Sequence, residues 1–77
     1  EIKTAQTVCY DVLREILREA RQFGAREYRI VAAQSVIDLF LDEESGGLAQ
    51  LIDFIGKPVS LQVETTYPQE QYDIILL

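Results

Sequence analysis

Apolar residues recur with the 3.6-residue period of an amphipathic helix over residues 5 to 23. One stripe of this segment contains Ala5, Cys9, Val12, Leu13, Ile16, Ala20 and Phe23. Thr4 or Thr7 can cap the start of the helix, and Gly24 is suited to end it in the left-handed conformation. The pattern therefore predicts a first helix that buries one face.

The next apolar segments are shorter and alternate between strand and helix. Residues 27 to 33 predict a strand, with Tyr28, Ile30 and Ala32 on one face and Arg29 and Val31 on the other. Ser35 and Asp38 resemble a capping box in front of a short second helix over Val36–Leu41. A third helix is predicted from the helical spacing of four apolar residues up to Gly56, and Pro58 follows as a stop.

The last third of the chain predicts two strands. Val59, Leu61 and Val63 alternate with polar residues, and a loop containing Pro68 leads to a strand over residues 72 to 77. Since the last four residues are all apolar, we expect that strand to be covered on both faces and hence central. The predicted fold is a single α+β domain over residues 1–77, in the order α-β-α-α-β-β, with a three-stranded mixed sheet of order 1-3-2.

Composition limits the chemistry that the chain can perform. Hydrophobic residues make up 48% of the 77, which is typical of a folded domain. A chain of this length buries only about 60% of its unfolded surface, so we expect a partner to stabilise it. With one cysteine, Cys9, and no histidine, it can form neither an internal disulfide nor a nucleophile–histidine pair, and a metal cage is not expected.

Charge is distributed unevenly along the chain. The net charge of −6 opposes free-standing RNA binding, yet six of the seven basic residues lie within the first 29 positions. Arg14, Arg18 and Arg21 form a ridge on the first helix and are the candidate RNA contacts, although Glu15 and Glu19 can make the same face an ordinary solvated surface. Tyr67, Pro68 and Tyr72 are a candidate contact patch.

Other features of the sequence favour structural interpretations. Cys9 lies on the apolar stripe and is expected to be a buried thiol. The acidic turn Asp42-Glu43-Glu44 could supply Mg²⁺ ligands, but a solvated turn is preferred. Gly46-Gly47 lies where KH domains carry a Gly-x-x-Gly loop for RNA, yet the motif is absent and the stretch is acidic.

Several segments resemble the C-terminal portion of the ribonuclease E/G family. These segments are Lys3–Tyr10, Asp42–Ser45, Phe54–Pro58 and, most specifically, Tyr67–Asp73. The resemblance implies a fragment of a longer endoribonuclease that depends on Mg²⁺ and takes part in RNA processing and decay. A cytoplasmic location is expected separately, because a single cysteine fits a reducing compartment. It also implies that the catalytic residues, the RNA-binding regions and a structural Zn²⁺ motif lie upstream.

The resemblance assigns this segment a role in assembly. It implies a domain that packs at subunit contacts of a homo-oligomer, against the rest of its own ribonuclease chain, with RNA bound through the parent. No membrane contact is expected, because no apolar run approaches the roughly 18 residues of a membrane span. We expect no catalytic residue, metal ligand or cofactor in the fragment. The alternative is an accessory RNA-binding module that uses the arginine face of the first helix.

Overall fold

The computed structural model describes residues 3–77, which form three helices and three strands in the predicted order. The elements are α1 (Ala5–Gln22), β1 (Tyr28–Ala32), α2 (Gln34–Leu41), α3 (Ser45–Ile55), β2 (Val59–Val63) and β3 (Tyr72–Leu76). The α+β class predicted from the periodicities is therefore confirmed.

Helix α1 begins as predicted but ends differently. The Thr4 side chain accepts a hydrogen bond from the Thr7 amide at 3.1 Å, which satisfies one of the free amides of the first turn. At the other end Phe23 is extended, with φ −131° and ψ 138°, and its amide donates to the Glu19 carbonyl. The predicted left-handed Gly24 is wrong, because Phe23 has already left the helix in an extended conformation and Gly24 does not have a positive φ.

Helices α2 and α3 are joined by the acidic turn and contact each other. The expected capping box is wrong: α2 begins at Gln34, so Ser35 lies inside its first turn and Ala33 occupies the capping position without a side-chain acceptor. Ser35 instead donates to the Gln69 side chain at 3.0 Å. Gly56 ends α3 in the left-handed conformation, as predicted, and its amide donates to the Ile52 carbonyl at 2.9 Å.

The sheet has the order β2-β1-β3, so the predicted order 1-3-2 is wrong. Strand β1 is central, and it pairs in parallel with β2 and antiparallel with β3. Strand β3 lies at an edge, where Ile75 and Leu76 remain 38% and 39% exposed. Its apolar run reflects exposed hydrophobic surface and not burial on both faces, which was the assumption behind the prediction.

The helices cover one face of the sheet. Tyr28, Ile30 and Ala32 point from β1 into this layer, as the alternation predicts, and each is almost fully buried. The core cluster comprises Val8, Cys9, Val12, Ile16, Ala25, Tyr28, Ile30, Ala32, Val36, Ile37, Phe40, Leu48 and Leu51. The opposite face of the sheet carries Arg29, which is half-buried, and Val31, which is 5% exposed.

No helix within residues 3–77 is both long enough and apolar enough to pass through a lipid bilayer.

Candidate functional site

A charged groove lies where α1 passes the start of β3. It has a cavity volume of about 260 Å³ and is lined by Lys3, Asp11, Arg14, Glu15, Arg18 and Tyr72. The residues of α1 reach it because positions 11, 14, 15 and 18 share one face of a helix. Tyr72 reaches it because the inward face of β3 packs towards the helices.

Ion pairs organise the groove. The Asp11 carboxylate accepts from Lys3 Nζ at 2.7 Å and from Arg14 Nη2 at 2.6 Å, one bond on each oxygen. Arg18 pairs with Glu15 one turn further along the helix. The Arg14 and Arg18 side chains are still 76% and 63% exposed, so much of each guanidinium faces solvent. The groove therefore has three cations, two anions and spare guanidinium donors.

The pKa shifts of Lys3, Asp11 and Glu15 favour the charged forms of these side chains. A hydrogen bond from Lys3 lowers the pKa of Asp11, and the same bond raises the pKa of Lys3. A hydrogen bond from Arg18 likewise lowers the pKa of Glu15. Burial raises the pKa of the Tyr72 phenol, which therefore stays neutral near pH 7. The groove thus offers charge and an aromatic surface, and each of these four shifts moves a pKa away from the neutral range in which a general base works best.

The structure brings together residues that the sequence had assigned to two different surfaces. Arg14 and Arg18, the candidate RNA contacts, share the groove with Tyr72, a candidate interface residue, whereas Arg21 does not line it. Sequence reasoning missed Asp11 and Lys3 as lining residues. The spacing of Asp11 to Arg14 could have indicated the first, but Lys3 precedes the helix and its contact depends on the tertiary fold.

The remaining candidate contacts lie apart from the groove. The Tyr67 hydroxyl donates to Asp73 Oδ2 at 2.5 Å, and this hydrogen bond raises the pKa of Tyr67. Because successive residues of a strand point to opposite faces, Asp73 and Tyr72 face different sides of the sheet. Pro68 is exposed, and its carbonyl accepts from the Gln71 amide. The structure therefore does not gather Tyr67, Pro68 and Tyr72 into one patch.

The acidic turn is a solvated turn, as preferred from the sequence. Asp42 and Glu43 are exposed, and Glu44 accepts hydrogen bonds from Gln6 at 3.1 Å and Tyr10 at 3.4 Å. Residues 3–77 contain no group of three acidic, histidine or cysteine side chains that could hold a metal ion.

Cys9 is a buried core thiol, as predicted. Its side chain is fully inaccessible, and its Sγ lies 3.6 Å from the Val36 carbonyl oxygen as a weak donor. Burial, with a smaller contribution from Glu44, raises the pKa of the thiol to about 11. A protonated and inaccessible thiol cannot act as a nucleophile.

Exposed apolar side chains are the second feature that could carry function. The large hydrophobic residues with substantial exposure are Tyr10, Phe23, Leu41, Phe54, Ile75, Leu76 and Leu77. Phe54 and Leu41 are the extremes, at 74% and 68% exposed. Exposed apolar side chains are normal singly, but a domain of this size with several of them is suited to protein contacts.

These observations define a small α+β domain with a charged groove beside α1 and several exposed apolar side chains. Comparison with known proteins adds that the chain is 38% identical over 76 residues to ribonuclease G of Salmonella typhimurium (strain SL1344). It is 37% identical over 76 residues to ribonuclease G of Escherichia coli (strain K12) and 38% identical over 77 residues to that of Haemophilus influenzae. No protein-family model matches the chain.

The matches include 99% of this chain but only 16% of each relative. They confirm the resemblance to the ribonuclease E/G family, since nearly all of the chain is homologous to one short segment of ribonuclease G.

Proposed function

We propose that this chain is the small C-terminal assembly domain of an endoribonuclease of the ribonuclease E/G family, and that it does not cleave RNA by itself. Homology to a segment of ribonuclease G supports the proposal that the parent protein is such an endoribonuclease. The chemistry of the chain supports the non-catalytic role, because it has no histidine and its one thiol is buried with a pKa of about 11. The parent would supply the RNA-cleaving groups and act in the cytoplasm.

The observation that carries the assembly role is the exposed apolar surface. Burying a Leu or Phe side chain fully stabilises a protein by about 1.5–3 kcal/mol. Leu41 and Phe54 contribute little of this stabilisation within the domain, because each side chain is more than two-thirds exposed. Contact with another subunit, or with the rest of the ribonuclease chain, would remove these side chains from water.

Light scattering coupled to size exclusion tests this role on the 77-residue chain. We expect either self-association that rises with concentration or binding to Escherichia coli ribonuclease G from which the homologous segment has been deleted. Substituting Leu41 and Phe54 with Asn should weaken one of these associations without changing the circular dichroism spectrum. A chain that stays monomeric at millimolar concentration and does not bind the shortened ribonuclease would contradict the assembly role.

A cleavage assay tests the non-catalytic part of the proposal. The purified chain, incubated with a single-stranded oligoribonucleotide and Mg²⁺, should leave the RNA intact. The full-length Escherichia coli relative is the positive control. Cleavage that co-purifies with the chain, and disappears when the chain is depleted by a specific antibody, would refute this part.

The charged groove favours one second function, contact with single-stranded RNA. Arg14 and Arg18 have guanidinium donors left over from their ion pairs, and Tyr72 gives the groove an aromatic wall. Phosphates bind guanidinium groups and bases stack on aromatic rings, so this combination suits a nucleotide. Asp11 and Glu15 disfavour RNA binding, because each carboxylate repels phosphate and already accepts a hydrogen bond from one of the two arginines.

Fluorescence anisotropy with a labelled oligoribonucleotide tests the RNA contact. Binding should weaken steeply as salt rises, and the double variant Arg14→Glu, Arg18→Glu should abolish it. The double variant Arg21→Glu, Arg26→Glu makes the same charge change outside the groove and should retain more of the binding. Equal losses in the two variants would indicate a general charge effect and contradict a site in the groove.

A further inference from the structure

Strand β3 leaves a free backbone edge at the side of the sheet. The Leu77 amide donates to the Glu27 carbonyl at 3.0 Å, so Glu27 and Leu77 form a hydrogen-bonded pair. In an antiparallel ladder such pairs alternate along the strand, so Ile75 and Asp73 also turn their backbone groups towards β1. The N–H and C=O groups of Tyr72, Ile74 and Leu76 consequently point away from the sheet.

The two edges of this sheet differ in their protection against pairing with another strand. Strand β2 follows directly on Lys57-Pro58, and both residue types discourage edge-to-edge pairing. Strand β3 contains no lysine, arginine or proline, and Ile75, Leu76 and the adjoining Leu77 are exposed. Among the residues that the structure describes, no large exposed hydrophobic side chain lies on β2. The β3 edge is therefore the open one.

We propose that β3 pairs antiparallel with β3 of a second copy of this chain, about a twofold axis at Ile74, to give one continuous six-stranded sheet. Ile74 lies opposite the partner's Ile74, and Tyr72 lies opposite the partner's Leu76. All the outward backbone groups of the strand then find partners in this register. The inference rests on the proposed assembly role and assigns the contact between two copies to β3, which leaves Leu41 and Phe54 for contact with the rest of the ribonuclease chain.

Charge complementarity selects this register. On the face of the sheet that carries Arg29, Asp73 lies opposite Val31, and Ile75 lies opposite Arg29. With the axis at Ile74, Asp73 of each copy becomes the neighbour of the partner's Ile75, with the partner's Arg29 one strand further. Two strand spacings are about 9.6 Å, which a long arginine side chain and an aspartate can bridge across the isoleucine.

Both charges lack an ionic partner within residues 3–77. Arg29 Nε donates to the Ser60 hydroxyl at 3.2 Å, and Asp73 accepts from the Tyr67 hydroxyl. These neutral contacts can be exchanged for an ion pair. The register with the same outward groups but the axis at Asp73 would place the two Asp73 carboxylates side by side, which is repulsive. The register with the axis at Ile75 shortens the ladder, because Tyr72 then has no partner residue on the strand.

Charge exchange between two variants tests the contact between copies. In Asp73→Arg, each Arg29 faces a new cation, and in Arg29→Asp each Asp73 faces a new anion. Each variant alone should dimerise about tenfold more weakly than the unmodified chain in sedimentation equilibrium at low salt. Mixing the two in equal amounts makes both contacts attractive again and should restore the affinity to within about threefold. Asp53→Arg is the matched control, since Asp53 is exposed on α3 and far along the chain from either strand.

Hydrogen exchange gives a second readout, on the backbone. As concentration rises through the dimerisation range, the Ile74 and Leu76 amides should become protected. The Leu61 and Val63 amides on the β2 edge should continue to exchange at their monomer rates. This readout does not depend on any substitution, so a variant that fails to fold leaves the test intact.

The outcomes separate this inference from the assembly role. If the unmodified chain is monomeric but binds the shortened ribonuclease, or if it dimerises without the mixing rescue and without protection of Ile74, then pairing through β3 is wrong and the assembly role survives. A monomer with no binding partner overturns both. Dimerisation with rescue and with protection of the β3 edge supports both.

Discussion

Gly56 and Gly24 should respond in opposite directions to the same substitution by alanine. Gly56 ends α3 with φ 69° and ψ 25°, in the left-handed region. An added Cβ would meet nothing within 4 Å at either glycine, so packing does not separate the two sites. Only the backbone conformation does, because Gly24 does not have a positive φ.

The magnitudes follow from that difference. Holding an L-residue in the left-handed conformation costs about 1–2 kcal/mol, so Gly56→Ala should lower the free energy of unfolding by that amount. Gly24→Ala restricts the unfolded chain without straining the folded one and should raise the free energy of unfolding by about 0.4–1 kcal/mol. For a domain of this size each kcal/mol moves Tm by about 4–8 °C.

Urea unfolding followed by circular dichroism measures both variants. Gly56→Asn is a useful third variant, because asparagine tolerates the left-handed region better than alanine and should recover part of the loss. Equal destabilisation by Gly56→Ala and Gly24→Ala would refute the reasoning, since it would mean that Gly24 also needs the conformation that only a glycine adopts easily.

Three further predictions concern the core and the groove. Cys9 should react with a thiol reagent about 100-fold more slowly in the folded chain than in urea, because its pKa is raised from 9.0 to about 11, and equal rates would contradict its burial. The free energy of unfolding that depends on the protonated thiol is fully present below pH 9 and is lost as pH rises through 11. A hydrogen bond from Lys3 lowers the pKa of Asp11 from 3.8, so the stability that its ionised form contributes is present above pH 3.8 and is lost as pH falls through the folded-state pKa. Asp11→Asn removes this contribution, so the urea concentration at the unfolding midpoint should fall less steeply towards acidic pH in the variant than in the unmodified chain. Ile16→Ala should lower the free energy of unfolding by about 2–5 kcal/mol in urea, because Ile16 is fully buried. Leu41→Ala should change it by less than about 0.5 kcal/mol, because Leu41 is exposed. Similar losses in the two variants would contradict the assigned core.

Local elements were predictable from the sequence because periodicity reports which face of a segment is buried. The 3.6-residue repeat gave α1 to within one residue of its end, and the alternation in residues 59 to 63 gave β2. Caps were less predictable, because they depend on single residues: moving the start of α2 to Gln34 removes the role expected of Ser35.

Strand order could not be read from hydrophobicity alone. The sequence contains four apolar residues at 74 to 77, and the natural interpretation is a central strand covered on both faces. The central strand is instead β1, whose face away from the helices carries Arg29, hydrogen-bonded to Ser60. An apolar run indicates that a surface is favourably buried, but it does not indicate whether the residues that bury it belong to the same chain or to another one.

The groove was predictable in part for a similar reason. Arg14 and Arg18 belong to one helix, so their spacing was enough to group them. Tyr72 joins them only through the packing of β3 against α1, across more than fifty residues of sequence. Contacts of that kind depend on topology, which is where the sequence-based prediction was wrong.

The central position of β1 has a consequence for how the chain folds. Tyr28 pairs with Val59 of β2, 31 positions later in the chain, and with Leu76 of β3, 48 positions later. Both neighbours of β1 therefore come from distant parts of the sequence. Pairings between distant positions slow the search for the native state, because a long loop must close before any contact rewards it. During synthesis on the ribosome the helices can therefore form early, while the sheet remains incomplete until β3 has left the exit tunnel.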